Sequence, residues 1–366
     1  MYINEVDKLN LGIVFGGKSV EHDISIISYF QVLNSIDIKK YNIYPFYLNK
    51  NNEITYSKDY FDINTFKENK KVKYKNVVFY KKNNKTYFKI GIEKVNIDMF
   101  LVIVHGKCLE DGVISSLFEY LNIPYSSPDY GLSYLLHDKY YLKLILKDMN
   151  IKVIDGKDYN KNNMIEYVNS NKLMKCSLLG SSIGIYRVDS NEDLKEGFNY
   201  CFKFDERVVL EEKIKNLVEF TQAGYMKDKS VVLSDIEEIR VNNDIYSFDG
   251  KYNNKEVERV IPAKIDSNLE AEINDTTKKI ISKLLITSII RIDYIYDLDS
   301  LSLYVNEINV IPGGLSYYLF ESKGIYFKDV IDDIINNSFK RHYFKNEKIS
   351  SFKSSVLQKG NVNKMK

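Results

Sequence analysis

The sequence predicts an α/β protein of two or three domains, and three observations predict it. The chain has 366 residues, against a usual domain size of roughly 150. Its opening reads as strand, glycine turn, helix and strand, the start of a βαβ unit. Further on, short apolar runs such as 98–104 and 173–176 alternate with amphipathic stretches, the pattern of sheets covered by helices.

The elements follow in order. The run LNLGIVF (9–15) is a buried strand that ends in Gly16-Gly17-Lys18-Ser19. An amphipathic helix follows over 23–34, then a strand over 42–48. The polar, Lys- and Asn-rich segment 49–95 contains alternating pieces that read as a hairpin. A buried strand at 98–104 is followed at once by His105 and Gly106. Pro124 and Pro128 bracket a loop, and 130–149 reads as one helix. The strand 173–176 enters the loop Gly180-Ser181-Ser182-Ile183-Gly184. Residues 208–214 form a strand, 220–226 and 231–241 an antiparallel pair, 270–285 a helix, and 291–297 with 303–309 a second pair. From Lys345 the chain turns polar, with six Lys and one Glu, and reads as a solvated tail. The expected division is 1–137, 138–211, 212–344 and a tail, 345–366.

Composition excludes several functions. Fifty-two Lys+Arg against 50 Asp+Glu leave a net charge of +2, too little for an electrostatically driven nucleic-acid binder. No apolar run nears the ~20 residues of a membrane span, and Met1–Asn10 carries Glu5, Asp7 and Lys8, unlike a signal peptide. Cys108, Cys176 and Cys201 are scattered and odd in number, so neither a disulfide framework nor a zinc site is expected, and a reducing cytoplasm is the simplest location. The 30 Tyr accompany many Lys, Asn and Ile and read as codon bias.

Some residues carry chemistry. In the strand 303–309, Glu307 and Asn309 point to one face. With Asp293 on the neighbouring strand they offer oxygen ligands to a hard divalent cation, Mg²⁺ above all and Mn²⁺ as an alternative. The competing reading is a solvent-facing acidic strand. Small residues in 180–184 let backbone N–H groups wrap a phosphate, with Lys175 supplying charge, although many turns look alike and no GK[ST] follows. Lys139 and Lys251 are further phosphate candidates. The segment Val209–Ile214 has the form of a sheet edge that could bind an adenine through its backbone, and Glu219 could take ribose hydroxyls; an ordinary edge strand is the alternative. His105, Glu110 and Glu21 follow buried strands, where an α/β sheet presents ligand groups, and a carboxylate there could grip an ammonium. Equally, Glu21 could serve a helix N-terminus.

Taken together, GGKSVEHDIS, HGKCLEDG, HDKYYLKLIL, KCSLLGSSIG, LEEKI…EF, KY, RID and NEINVIPGG resemble, in order and spacing, the motifs of the D-alanine–D-alanine ligases, over about 9–339. The resemblance implies a three-domain ATP-grasp fold with an N-terminal parallel-sheet domain, and commonly a homodimer. It implies an ATP-dependent ligase: ATP phosphorylates the carboxylate of one D-amino acid, and the amine of a second attacks the acyl phosphate. The simplest product is D-Ala-D-Ala for peptidoglycan. Carried over, Lys139, Lys175, Ser181, Ser182 and Lys251 would contact ATP, with Glu211, Glu212, Lys213 and Ile214 at the adenine and Glu219 at the ribose. Asp293, Glu307 and Asn309 would hold two Mg²⁺. Glu21 would bind the first ammonium, near His105 and Glu110. Arg291 would stabilise the tetrahedral intermediate. Ser181, Glu219 and Tyr252 would tie a mobile loop, expected over 242–258, across the site.

The departures cluster. Leu109 stands for a usual Gly, Cys176 for Pro, and Tyr246-Ser247-Phe248 for Tyr-Asp-Tyr. After Pro312-Gly313 the usual Thr and Ser, the latter a ligand of the second substrate's carboxylate, are Leu315 and Tyr318; by the resemblance Gly313 and the Tyr318 hydroxyl, or Ser316 after a shift of the loop, would bind that substrate. The nucleotide half therefore matches, and the half that takes the second substrate does not. A different acceptor, such as D-Ser or D-lactate, is one alternative, and a non-catalytic binding paralogue is another.

Overall fold

The computed structural model describes residues 8–67, 70–83, 85–169, 171–180, 183–241, 257–351 and 353. The chain builds three sheets. In the first, β1 (Leu9–Gly16) lies between β2 (Tyr41–Leu48) and β7 (Met99–Val102), parallel to both. The helix α1 (His22–Leu33) makes the crossover from β1 to β2. Leu11, Ile13, Val14 and Phe15 are all buried, as expected of a parallel strand covered on both faces. An antiparallel extension follows: β3 (Ile54–Tyr56), β4 (Lys75–Lys82), β5 (Lys85–Ile90) and β6 (Glu93–Val95), with β4 and β5 forming the hairpin. Ser25 ties α1 to the strand ends: its Oγ accepts from the Gly16 N–H at 2.7 Å and donates to the Ile103 carbonyl at 2.6 Å.

After α2 (Val113–Leu121), the predicted single helix is two, α3 (Tyr130–His137) and α4 (Lys139–Asp148). Asp138 causes the break. Its backbone is extended, and its Oδ1 accepts from the N–H groups of Tyr140 and Tyr141 at 2.9 and 3.0 Å, an N-cap. Its Oδ2 accepts from Arg207 Nη1 at 2.9 Å. Side-chain capping thus outcompetes helix propensity at this position. Asp138→Ala is expected to lower the unfolding free energy by about 2 kcal/mol, from a lost cap and a lost charged hydrogen bond. Urea unfolding followed by circular dichroism measures it. A loss below about 0.5 kcal/mol, the usual range for a surface change, would contradict this role.

The second sheet contains β8 (Gly156–Asn160), β9 (Lys172–Cys176), β10 (Ile185–Val188) and β11 (Arg207–Glu212), in the order β10-β9-β11-β8, with α5 (Asn191–Cys201) between β10 and β11. The expected sheet edge over 209–214 is therefore corrected. β11 is internal and pairs with β9 on one side and β8 on the other. Its apolar Val208 and Val209 are fully buried, which suits a central strand.

The third sheet runs β14-β13-β12-β15-β16: β12 (Leu217–Lys227), β13 (Ser230–Val241), β14 (Val257–Val260), β15 (Ile290–Asp297) and β16 (Ser302–Asn309). All its pairings are antiparallel. The helix α6 (Ser267–Lys283) buries Ile273, Ile280 and Ile281. The short α7 (Tyr317–Ser322) and the long α8 (Phe327–Asn346) close the described fold. α8 runs one residue past the expected start of the polar tail, most of which lies outside the described residues.

Two cores result. One hydrophobic cluster joins the first and third sheets, and a separate one, around Met174, Val188, Leu194, Phe198 and Val208, belongs to the second sheet. Among the described residues no helix is long and apolar enough to cross a membrane.

Candidate active site

One face of the third sheet explains much of the site. Strand pairing puts Arg259, Ile239 and Glu219 in one cross-strand row. The next row on the same face is Glu237, Thr221, Asp293 and Glu307. The third holds Arg291 beside Asn309. Side chains alternate along a strand, so residues two apart share a face. All of these border a cavity of about 310 Å³.

The opposite wall comes from the first sheet and α1. Glu21, Ser28, His105, Glu110 and Ile24 line it. His105 sits just past β7, with Nε2 3.0 Å from Ser28 Oγ. Ser28 Oγ also accepts from the Gly314 N–H at 2.9 Å, so the turn after β16 is docked on α1. Glu110 lies between two imidazoles, 3.6 Å from His105 Nδ1 and 3.3 Å from His137 Nδ1. Burial pushes the Glu110 carboxyl above its usual range, although His137 opposes this. Glu21 approaches the phosphate-type loop: a Cβ added to Gly180 would stand 3.4 Å from Glu21 Oε1.

Burial lowers the His105 pKa from 6.5 to about 4, outweighing the attraction of Glu21. The unfolded chain then binds a proton at this ring as pH falls through about 6.5, while the folded chain waits until about 4. Acid therefore costs stability across that window, and nothing is lost above it. A nuclear magnetic resonance titration is expected to place the His105 midpoint near 4; a midpoint at its ordinary value would refute a dry pocket.

Asp293 is gripped by Arg291, Nε to Oδ1 at 2.7 Å and Nη2 to Oδ2 at 2.8 Å, and receives Asn309 Nδ2 at 3.0 Å. Burial alone would lower the Arg291 pKa, but Asp293 outweighs it and holds the guanidinium charged. Asp293 and Glu307 are register partners, and Lys139 Nζ lies 3.7 Å from Glu307 Oε2. Two carboxylates and an amide oxygen suit Mg²⁺ that completes its shell with phosphate and water oxygens. Among the described residues no group of three or more His, Cys, Asp or Glu is arranged to hold a metal ion. The donor set of Asp293, Glu307 and Asn309 fits a cation that shares its ligation with phosphate.

Lysines meet on the second sheet. Lys175 Nζ lies 2.7 Å from Glu211 Oε2 and 3.1 Å from Asn306 Oδ1. Lys143 Nζ lies 2.9 Å from Glu211 Oε1. Burial would raise the Glu211 pKa, but the two ammoniums outweigh it and hold it below the usual carboxylate range. Lys139 donates to the Leu179 carbonyl at the entry of the glycine loop. Glu212 is exposed and pairs with Lys172, so it points away from the buried lysines. The backbone of Lys213 is engaged by Asn171: its N–H donates to the Asn171 carbonyl at 3.1 Å, and its carbonyl accepts from Asn171 Nδ2 at 3.0 Å. Ile214 follows directly beyond the strand tip.

Other expected residues divide. Gly313 and Tyr318 line the cavity. Ser316 does not: it is fully buried, and its Oγ has no hydrogen-bond partner. Left-handed backbone at Leu315 (φ 53°) and Ser316 (φ 55°) shapes this turn, so Ser316 reaches the cavity only if the loop shifts. Ser181, Ser182, Lys251, Tyr252 and nearly all of the expected closing loop, residues 242–256 with the segment 246–248, lie outside the described residues. Two departures are packing changes. A Cβ on Gly17 (φ +100°) would stand 2.4 Å from Leu109 Cδ1, and one on Gly184 (φ +74°) 2.5 Å from Cys176 Sγ. Each larger residue thus covers a glycine that has left it room.

The sequence reading missed Lys143, His137, Ser28, Glu237 and Arg259. Lys143 had a signal: it stands one helical turn after Lys139, on the same face. Glu237 and Arg259 had none, because only the sheet register brings them together.

The cavity thus lies between the first-sheet unit and the antiparallel third sheet, lined by oxygen donors and arginines, with Lys139 reaching Glu307 from α4. Comparisons with known proteins give the class: an ATP-dependent ligase with the ATP-grasp fold. The family model described as D-ala D-ala ligase N-terminus matches residues 10–128, and that described as D-ala D-ala ligase C-terminus matches residues 147–336. The D-alanine–D-alanine ligase of Thermosipho melanesiensis is 37% identical, over 96% of this chain and 98% of its own. The fold resembles the D-alanine–D-alanine ligase of Coxiella burnetii (TM-score 0.79, 20% identity, 93% and 97% of the two chains). It is as close to the VanG D-Ala:D-Ser ligase of Enterococcus faecalis (TM-score 0.78, 23% identity, 91% and 100%). The chain belongs to the D-alanine–D-alanine ligase family.

Proposed function

We propose that this ligase joins two D-amino acids at the expense of ATP, in the simplest case two D-alanines for peptidoglycan synthesis. One observation carries the reading. Arg291, Asp293, Glu307 and Asn309 share a sheet face that looks across the cavity at Glu21, His105 and Glu110.

The chemistry follows from that arrangement. Glu21 takes the ammonium of the first amino acid, and the carboxylate oxygen of that amino acid attacks the γ-phosphorus of ATP, forming an acyl phosphate and releasing ADP. The lysines Lys139 and Lys175 neutralise phosphate charge, and Lys251 with Ser181 and Ser182 adds to the phosphate cradle. Mg²⁺ held by Asp293, Glu307 and Asn309 would offset the remaining charge on the phosphates. The second amine then attacks the acyl carbon, phosphate leaves, and the amine gives up a proton. Arg291 meets the oxyanion that forms in that step. The neutral His105 and buried Glu110 keep the first-substrate pocket dry, which protects an acyl phosphate from water. Glu211 acts by positioning Lys175, Glu212, Lys213 and Ile214 border the adenine, and Glu219 faces the ribose. Tyr252, with Ser181 and Glu219, closes the loop over the site. The units 1–137, 138–211 and 212–344 are proposed as domains, supported by the three sheets, together with a cytoplasmic location, where ATP is, and a homodimer.

A different acceptor remains the second reading, motivated by Leu315 and Tyr318. The test is phosphate release with ATP and D-alanine alone, then with D-alanine plus D-serine or D-lactate, with products read by mass spectrometry. D-Ala-D-Ala as the dominant product supports the first reading, and a mixed product supports the second. No ADP formation with any D-amino acid would sink both.

A further inference from the structure

Three side chains that take no part in the chemistry above, His137, Asp205 and Lys107, converge on the backbone of one residue, Leu178, at the entry of the glycine loop. The Leu178 carbonyl lies 3.1 Å from His137 Nε2. A carbonyl only accepts, so Nε2 carries the proton. The other ring nitrogen, Nδ1, lies 3.3 Å from Glu110 Oε1, and Glu110 Oε2 lies 3.6 Å from His105 Nδ1. The Leu178 N–H donates to Asp205 Oδ2 at 2.7 Å, and Asp205 Oδ1 accepts from Lys107 Nζ at 2.8 Å. His105, Lys107 and Glu110 belong to the single loop that follows β7. That loop therefore holds Leu178 twice, once through His137 and once through Asp205.

We infer that His137, Asp205 and Lys107 are positioning residues: they set the glycine loop against the first-substrate wall and couple binding of the first amino acid to binding of the nucleotide. This rests on the ligase reading above and deepens it. Three observations carry it. First, the links are sheltered. The His137 and Asp205 side chains keep only 7% and 3% of their surface exposed, so water does not readily replace these hydrogen bonds, and leaving one unmade is costly. Second, each link runs between the two halves of the site. His105 and Glu110 line the cavity. Directly after Leu178, the Leu179 carbonyl accepts from Lys139 Nζ, one of the lysines proposed for the phosphates. At the next residue, a Cβ added to Gly180 would stand 3.4 Å from Glu21 Oε1. A shift of Leu178 thus moves the anchor of Lys139 and the approach to Glu21 together. Third, the links join units with separate hydrophobic clusters. Leu178 and Asp205 flank strands of the second sheet, whose cluster is distinct from the one under the loop after β7. Apolar packing within each cluster does not fix one unit against the other, whereas directional polar links do. An amino acid that orders the wall at Glu110 thereby orders Leu178, and the nucleotide meets a loop already in place.

The test is the affinity for ADP, measured by titration calorimetry with Mg²⁺ present, without and with saturating D-alanine. ADP has no γ-phosphate to touch the amino acid, so coupling between the two passes through the protein. In wild type, D-alanine is expected to tighten ADP by about fivefold or more, the lower end of coupling between sites. His137→Gln keeps a donor for the Leu178 carbonyl and loses the ring edge that faces Glu110. Lys107→Met leaves Asp205 to hold the Leu178 N–H. Each variant therefore cuts one link on the side of the wall and spares the end at the loop. Each is expected to lower the coupling by about twofold or more, and the double variant to bring it to about one. Lys107 is partly exposed, so Lys107→Met serves alone if the other variants do not fold. A purely structural role would weaken ADP equally with and without D-alanine and leave the coupling unchanged. A reduction of less than about twofold in the variants that fold, against the size of coupling changes along such links, overturns the inference. So does a wild type that forms dipeptide and shows no coupling. A wild type that forms no dipeptide from ATP and D-amino acids overturns the ligase reading, and so the two failures are distinct.

Discussion

Arg291→Met is expected to lower kcat by about two to three orders of magnitude, the usual cost of removing an oxyanion donor. Arg291 is half-buried, is held charged by Asp293, and lies on the same sheet face as Glu307 and Asn309. Charge develops on the acyl oxygen only as the second amine attacks, so a fixed cation there favours the transition state over the bound substrates. Affinity for ADP should change little, because Lys139 on α4 and Lys175 on β9, the lysines proposed for the phosphates, are on other elements. Arg291→Lys keeps the charge and should recover part of the loss. The measurement is steady-state phosphate release, with a thermal melt to account for the freed Asp293. A kcat within about fivefold of wild type would remove Arg291 from the chemistry, since an oxyanion donor costs far more.

Glu211→Ala carries the largest expected effect on stability, about 3–5 kcal/mol, because two buried ammoniums lose their shared counter-charge. Lys143 and Lys175 approach Glu211 at 2.9 and 2.7 Å, and all three are buried. Burial already pushes the Lys143 pKa down, with Glu211 opposing, so removing the carboxylate drives Lys143 towards its neutral form. The pH dependence has a definite sign. The folded Glu211 pKa lies below its ordinary value, so in acid the unfolded chain takes a proton first. The contribution is therefore complete above the ordinary carboxylate range and is lost as pH falls through the lower folded value. Chemical denaturation of wild type and variant across that range should show the two curves converging in acid. A constant gap between them would argue that Glu211 acts through packing.

Much of the fold and part of the site were legible in sequence. The strand–turn–helix opening, the antiparallel pairs and the shared face of Glu307 and Asn309 all follow from short periods, and the structure contains them. Other features were not. The break at Asp138 needed Arg207, far along the chain, to bury and hold the cap. The internal place of β11 needed β8 and β9 on its two sides. Ser316 looked available beside Tyr318, yet the left-handed turn buries it.

Local periodicity and residue chemistry thus settled which elements form, which side of each strand is apolar and where oxygen donors and lysines are concentrated. They depend on neighbours a few positions apart, and those are visible in a chain read alone. Which carboxylate answers which cation was decided only by the packed sheets. Glu237 meets Arg259 and Tyr318, and Glu211 meets Lys143 and Lys175, because strand register and helix docking bring distant segments within hydrogen-bond reach. A charge in a dry interior must find its partner there, and that requirement acts on three-dimensional neighbours, which sequence spacing does not record.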